Sequence, residues 1–239
     1  MKSQDILILL KLISLEVEKA QTSAGVYCET CKNSGVVEET WGMPKACPTC
    51  HRKTRCKTCK GRKQIQTMGG IYHDCSVCHG GGWVDAYTVR SLSKNLGIGI
   101  SKSEINNSIK RSVAVGLAKF DRVTGRPQPN VSALRDFIVY GIKYVFPAKT
   151  GGIVRGIPTS FAAPILKGQL MTAGENIYVW PDPHGKNKGQ SVLPLYKSVP
   201  QAVKLDDKLY EFLALIDAIR LGLPRESNLA KNILEKILC

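Results

Sequence analysis

Eight of the nine cysteines in this 239-residue chain fall into four Cys-x-x-Cys pairs: Cys28/Cys31, Cys47/Cys50, Cys56/Cys59 and Cys75/Cys78. Shifting the sequence by 28 residues superimposes all eight, and also Thr30 on Thr58, Lys32 on Lys60, Gly42 on Gly70 and His51 on His79. The gaps from Cys31 to Cys47 and from Cys59 to Cys75 each hold 15 residues, whereas five separate the inner pairs. A CxxC turn aims two thiolates at one tetrahedral ion, and a 15-residue excursion suffices for a two-stranded hairpin that returns with the second pair. Gly42 and Gly69-Gly70 sit near the middle of the excursions, where such a hairpin turns. The spacing therefore predicts two zinc ions paired in tandem, Cys28/Cys31 with Cys47/Cys50 and Cys56/Cys59 with Cys75/Cys78. Disulfides and an iron–sulfur cluster are the competing uses. A zinc ion saturated by four thiolates has no open coordination position, so the metal is expected to staple a small module rather than to catalyse.

With 34 basic and 19 acidic residues the formal charge is +15. Eight thiolates and two zinc ions lower this only to about +11, a balance that favours a polyanionic partner, nucleic acid above all. The apolar run "ILILLKLISL" from Ile6 to Leu15 is preceded by Asp5, interrupted by Lys11 and followed by Glu16, Glu18 and Lys19. It reads as a buried helix over Gln4 to Ala20 capped by Ser3, not as a signal peptide. No run of about 18 apolar residues occurs, so no membrane span is expected. The expected compartment is cytoplasmic, where thiols stay reduced and hold metal.

The segment from Cys56 to Gly82, "CKTCKGRKQIQTMGGIYHDCSVCHGGG", resembles the CxxCxGxG repeats of the cysteine-rich domain of DnaJ-type chaperones and the related zinc knuckle of lambdoid phage antitermination proteins. The likeness covers about a quarter of the chain and is degraded: Lys60-Gly61-Arg62-Lys63 lacks the second glycine and Lys32-Asn33-Ser34-Gly35 the first. In those chaperones the outer pairs share one zinc and the inner pairs the other, whereas the equal gaps here favour tandem pairing. The chain has no J-domain His-Pro-Asp tripeptide and no Gly/Phe-rich linker, so the likeness implies a borrowed knuckle and not a chaperone. Between His51 and Lys63 lie Arg52, Lys53, Arg55, Lys57, Lys60, Arg62 and Lys63 without an acidic residue, a run suited to phosphate or partner contact.

Removing residues 22–85 joins the first helix to "TVRSLSKNLGIGISKSEINNSIKRSVAVGL", Thr88 to Leu117. Val89, Leu92 and Leu96 have helical spacing, Gly97-Ile98-Gly99-Ile100 is a turn, and Ser101 with Glu104 forms a helix-start signature. Ile105, Ile109 and Val113 make the buried stripe of a second helix. Its exposed face would carry Lys102, Ser103, Asn106, Asn107 and Lys110, with Arg111 nearby, residue types that contact phosphates and base edges. The following stretch, with Lys119, Arg122 and Arg126 around a Gly turn, suits a β-wing, after which Asn130 can cap another helix. The arrangement resembles winged helix-turn-helix regulators of bacteria, MarR-like in the broad sense, except that the turn before Ser101 is about two residues longer than theirs. The resemblance implies DNA binding by Lys102, Ser103, Asn106, Asn107, Lys110, Arg111, Arg122 and Arg126.

From Pro147 to about Val203 the chain is rich in Gly and Pro and shows no clear period, so irregular packing is expected. "DDKLYEFLALIDAIRLGLP" reads as an amphipathic helix with Asp206 as cap, Leu209, Phe212, Leu213, Ile216 and Ile219 as stripe, and Gly222 and Pro224 as stop. A last helix follows from about Glu226, and these helices suit either internal packing or a homodimer. No Gly-Lys-Ser/Thr loop, Gly-x-Ser-x-Gly elbow or HExxH helix is present, and Glu211 and Asp217 have no evident partner, so no enzyme is expected.

The chain is thus expected to be α+β, mainly α. Residues 1–21 and 86–146 would form a winged helix-turn-helix, 22–85 an inserted, duplicated zinc-hairpin module with four cysteines per ion, and 147–239 an irregular and helical region. The expected function is a zinc-containing transcriptional regulator that binds double-stranded DNA. Alternatives are an antitermination-like factor docking on RNA polymerase, a regulator or antitoxin component of a defence or toxin–antitoxin system, and an RNA-binding protein.

Overall fold

A computed structural model describes residues 1–22, 36–38, 44–46, 54–55, 64–66, 72–74, 83–84, 86–96, 100–122, 125–169 and 177–238. The fold is α+β, and the chain divides into two compact units, one of Met1–Ser14 with Leu92–Cys239 and the other of Leu15–Ser91.

In the smaller unit the described strands are β1 (Val36–Glu38), β2 (Pro44–Ala46), β3 (Thr54–Arg55), β4 (Gln64–Gln66), β5 (Tyr72–Asp74) and β6 (Trp83–Val84). β1 pairs antiparallel with β2, and β4 with β5. Moving the bounds of β1 and β2 along the chain by 28 residues gives those of β4 and β5, so the duplication in the sequence is repeated in the hairpins. β3 pairs antiparallel with β6, Arg55 opposite Trp83.

The larger unit is built around the start of α1 (Ser3–Thr22). Ile6, Leu7, Ile8, Leu9, Leu10, Leu12 and Ile13 are all buried, so this stretch is covered on every side, as a helix apolar all round must be. Ser3, read as its cap, lies inside the helix; the Asp5 carboxylate instead accepts the Lys2 backbone N–H at 2.8 Å. Asp5, Lys11 and Ser14 enter the core because each meets a partner. Asp5 reaches Ser108 and Arg111, while Lys11 (2.6 Å) and Ser14 (2.7 and 2.8 Å) donate to Asp206. Asp206 also accepts the Leu209 N–H at 2.8 Å, capping the helix Asp207–Leu221.

Among the helices near α1, α2 (Val89–Asn95) buries Leu92 and α3 (Lys102–Ala114) buries Ile105, Ser108, Ile109 and Ser112. A hairpin of β7 (Ala118–Phe120) and β8 (Pro127–Pro129) follows, and then a continuous helical rod: α4 (Val131–Asp136), a π-turn over Phe137–Gly141, and α5 (Ile142–Val145). Asn130 caps this rod, its side chain accepting the Ala133 N–H at 3.3 Å.

Where irregular packing was expected, the structure has three strands, β9 (Thr150–Thr159), β10 (Tyr178–Pro181) and β11 (Asn187–Val192). β9 runs antiparallel to both others and β10 parallel to β11, so each strand bonds to the other two and a small barrel closes. Its tightness explains the missing period. A Cβ on Gly156 would lie 2.0 Å from the Trp180 carbonyl oxygen, and one on Gly189 would lie 2.3 Å from that of Ile177. Glycine replaces the branched residues that ordinarily mark a strand.

Three helices follow the barrel: α6 (Val199–Ala202), α7 (Asp207–Leu221) and α8 (Pro224–Ile237). Every residue of α7 from Phe212 through Arg220 is buried, so it is a core helix and not the amphipathic one expected. Gly222, at φ +71, ends it. Asp217, read as partnerless, is buried and accepts Trp180 Nε1–H (2.5 Å), Thr159 Oγ1–H (3.1 Å) and Arg220 Nη1–H (2.5 Å). Arg220 also donates to the Phe146 carbonyl at 2.7 Å, tying α7 to the end of the rod. Burial pushes the Asp217 carboxyl up, against the pull of these donors. Glu211 pairs with Lys208 at 2.9 Å.

Candidate nucleic-acid interface

The sequence places Ser, Asn and Lys on one side of α3 and Ile and Ser on the other, and the helix is set by its ends. Ser101 adopts extended backbone and its Oγ accepts the Glu104 N–H at 3.2 Å. Beyond the last turn Gly116, at φ +77, reverses the chain, and the Leu117 N–H reaches back to the Ser112 carbonyl at 2.9 Å. Between these ends, Lys102, Ser103, Asn106, Asn107 and Lys110 are all exposed. Four of them carry side chains that donate hydrogen bonds from long or forked groups, two cationic and two amide.

Behind this face, α3 is locked to α1. Arg111 donates through Nη2 (2.7 Å) and Nε (3.1 Å) to the two Asp5 oxygens, and through Nη2 to Glu104 at 3.0 Å. Ser108 donates to Asp5 at 2.7 Å, and Gln4 donates to Glu104. Burial alone would raise the Asp5 carboxyl, but Arg111, the Lys2 N–H and Ser108 outweigh it and hold it below the usual carboxylate range. Hydrogen bonding to Arg111 likewise lowers Glu104, and Asp5 holds Arg111 more firmly protonated than usual. Arg111 was grouped with the exposed face; its guanidinium is committed to these carboxylates, so it positions α3.

The hairpin grows from the C-terminal end of α3. Ala118 faces Pro129 and Phe120 faces Pro127, with Ala118 and Pro129 buried at its root and Pro127 buried nearer the tip. The Asn130 N–H donates to the Leu117 carbonyl (2.8 Å) and its side chain to the Gly116 carbonyl (3.2 Å), fixing the hairpin to the turn after α3. Gly125, at φ +65, makes the bend at the tip. Lys119 and Phe120 on β7 and Arg122 beyond it are exposed, while Arg126 is half-buried.

Several expected site residues lie outside the described residues: Cys28, Cys31, Cys47, Cys50, Cys56, Cys59, Cys75, Cys78, Arg52, Lys53, Lys57, Lys60, Arg62 and Lys63, as does the long turn at 97–99. Arg55 falls on β3. Among the described residues no cluster of His, Cys, Asp and Glu could hold a metal, and no helix is long and apolar enough to cross a membrane.

Sequence reasoning missed Asp5 as a support of the α3 face. The signal was present in the buried run that follows it, but its partners stand more than 100 positions away. Comparison with protein families, with curated proteins and with solved structures finds no match to this chain.

Proposed function

We propose that this chain is a zinc-containing DNA-binding transcriptional regulator in which α1, α2, α3 and the β7–β8 hairpin act as a winged helix-turn-helix. The observation that carries the reading is α3: Lys102, Ser103, Asn106, Asn107 and Lys110 are exposed on a helix whose opposite face is buried and locked to α1. In this reading Asn106 and Asn107 present the amide pair that recognises adenine edges, and Lys102, Ser103 and Lys110 contact phosphates or guanine. Arg122 lies on the hairpin that would track the adjacent backbone. Binding, not catalysis, is the mechanism.

The cysteine pairs of the smaller unit are assigned two zinc ions in tandem. β1–β2 lies in the interval between Cys31 and Cys47, and β4–β5 in that between Cys59 and Cys75, and an antiparallel hairpin in each interval is what tandem pairing calls for. β3 and β6, which flank Cys56 and Cys78 in sequence, pair with each other and bracket the second set. When bound, zinc would supply a cross-link in a segment poor in apolar residues.

Selection from a random duplex pool tests the DNA reading. The full zinc-loaded chain is expected to enrich one motif, and Asn106→Ala/Asn107→Ala to lose it while keeping its circular dichroism spectrum. Equal recovery of all sequences by the unaltered protein would overturn the proposal. Enrichment from a structured-RNA pool instead would favour the RNA-binding alternative.

A further inference from the structure

We propose that the outer face of the β9–β11 ribbon is a second phosphate-contacting surface for duplex DNA, built on Arg155 and Lys188; it rests on the DNA-binding reading above. In the antiparallel register Arg155 stands directly opposite Lys188, and the next pair on the same face is Ile153 with Gln190. Like charges directly opposite each other weaken a strand pair. Both are exposed, and among the described residues neither side chain has an ion pair or hydrogen bond.

The surrounding sequence is poor in acids that could relieve the pair. Residues 137 to 205 contain eight Lys or Arg and two acidic residues, Glu175 and Asp182. Asp182 is buried and pairs with Lys204. Lys149 and Lys186, both exposed, stand just before the two strands and so extend the charge to either end of the ribbon. The barrel holds the two strands beside the pair: Gly156 and Gly189, which follow Arg155 and Lys188, admit no side chain because they lie against the Trp180 and Ile177 carbonyls, so β9 and β11 are both seated on the β10 segment, and their register sets Arg155 opposite Lys188.

The chemistry of the face selects its occupant. Thr150, Gly151, Gly152 and Ile153 are exposed at the start of β9, and Ile153 is the one large apolar group among them. With Leu193, exposed just past β11, that makes two large apolar groups beside four exposed cations, Lys149, Arg155, Lys186 and Lys188, so charge and not apolar area sets what this surface holds. The Arg155 fork and the Lys188 ammonium suit phosphate oxygens. A polyanion would turn the repulsion of this pair into binding energy.

The test measures affinity of the full zinc-loaded chain for a fluorescent duplex over a series of salt concentrations, for the duplex it prefers and for a scrambled one. Arg155→Gln/Lys188→Gln is expected to reduce the slope of log Kd against log salt by about 2, equally on both duplexes. Arg155→Lys/Lys188→Arg is expected to keep the original slope. Because the Gln pair removes a repulsion, its melting temperature should not fall, which separates lost contact from lost fold. An unchanged slope with intact sequence preference would overturn the ribbon proposal alone. Equal binding of both duplexes, with the slope still lowered by the Gln pair, would overturn the reading of α3 and leave the ribbon standing. No duplex binding by the unaltered chain, or a Gln-pair defect confined to anionic phospholipid vesicles, would overturn the ribbon proposal.

Discussion

Replacing Asp5 by Asn tests whether the ion cluster behind α3 holds that helix in place. The Asp5 side chain is fully buried, and it accepts two bonds from Arg111 at 2.7 and 3.1 Å, one from Ser108 at 2.7 Å and one from the Lys2 N–H at 2.8 Å. An amide keeps one acceptor oxygen and turns an NH2 group toward donors. Hydrogen bonds to a charged group contribute about 1.5–3 kcal/mol each, but Arg111 is 30% exposed and water recovers part of its loss. The expected cost is about 2–4 kcal/mol at pH 7, below what a wholly buried pair would give. The sign with pH follows from the depressed Asp5 pKa. A carboxyl lowered by folding stabilises above its ordinary value of 3.8, and that contribution is lost as pH falls through the folded value. The gap between Asp5→Asn and the unaltered chain should therefore be full at about pH 5 to 7 and shrink below about pH 4. Urea denaturation of both proteins across this range measures it. A difference under about 0.5 kcal/mol at pH 7, or one that does not change toward about pH 3, would mean that the Asp5 carboxylate does not hold α3 in place.

Three further outcomes are expected. Lys11→Met leaves the Asp206 carboxylate buried without its cation and should cost about 3 kcal/mol in chemical denaturation, most of it regained in Lys11→Met/Asp206→Ser, which keeps a cap for α7. Gly156→Ala places a Cβ against the Trp180 carbonyl and should cost about 3 kcal/mol or more by the same measurement. Metal analysis should find two zinc ions per chain; replacing Cys28, Cys31, Cys47 and Cys50 together by Ser should leave one under tandem pairing and none under nested pairing.

The local signals that proved readable were those carried by neighbouring residues. Ser101 with Glu104, Asn130, Asp206 and Gly222 each act through backbone groups a few positions away, so their helix ends could be recognised without knowing what the helices touch. The buried and exposed sides of α3 followed from spacing in the same way, although Val113 is only half-buried. What escaped was set by distant contacts. The barrel strands are held by Gly156 and Gly189 against main-chain atoms, a constraint that erases the alternation by which strands are recognised. α7 looked amphipathic because Asp217 and Arg220 are charged, yet Trp180, Thr159 and the Phe146 carbonyl let both enter the core. Arg111 looked like part of the exposed face for the complementary reason, since its partner Asp5 lies 106 residues away. The two cations of the β9–β11 ribbon are 33 residues apart and become a pair only through strand register.

Whether α3 reads DNA sequence can be decided by fluorescence anisotropy of the zinc-loaded chain. Two duplexes of equal length, one from the region upstream of its own coding sequence and one scrambled, would be titrated at physiological salt. A preference of about 10³ or more for the upstream duplex is expected, the range of specific over non-specific binding. Equal, weak binding to both would contradict it and reduce the charge of +15 to unspecific attraction.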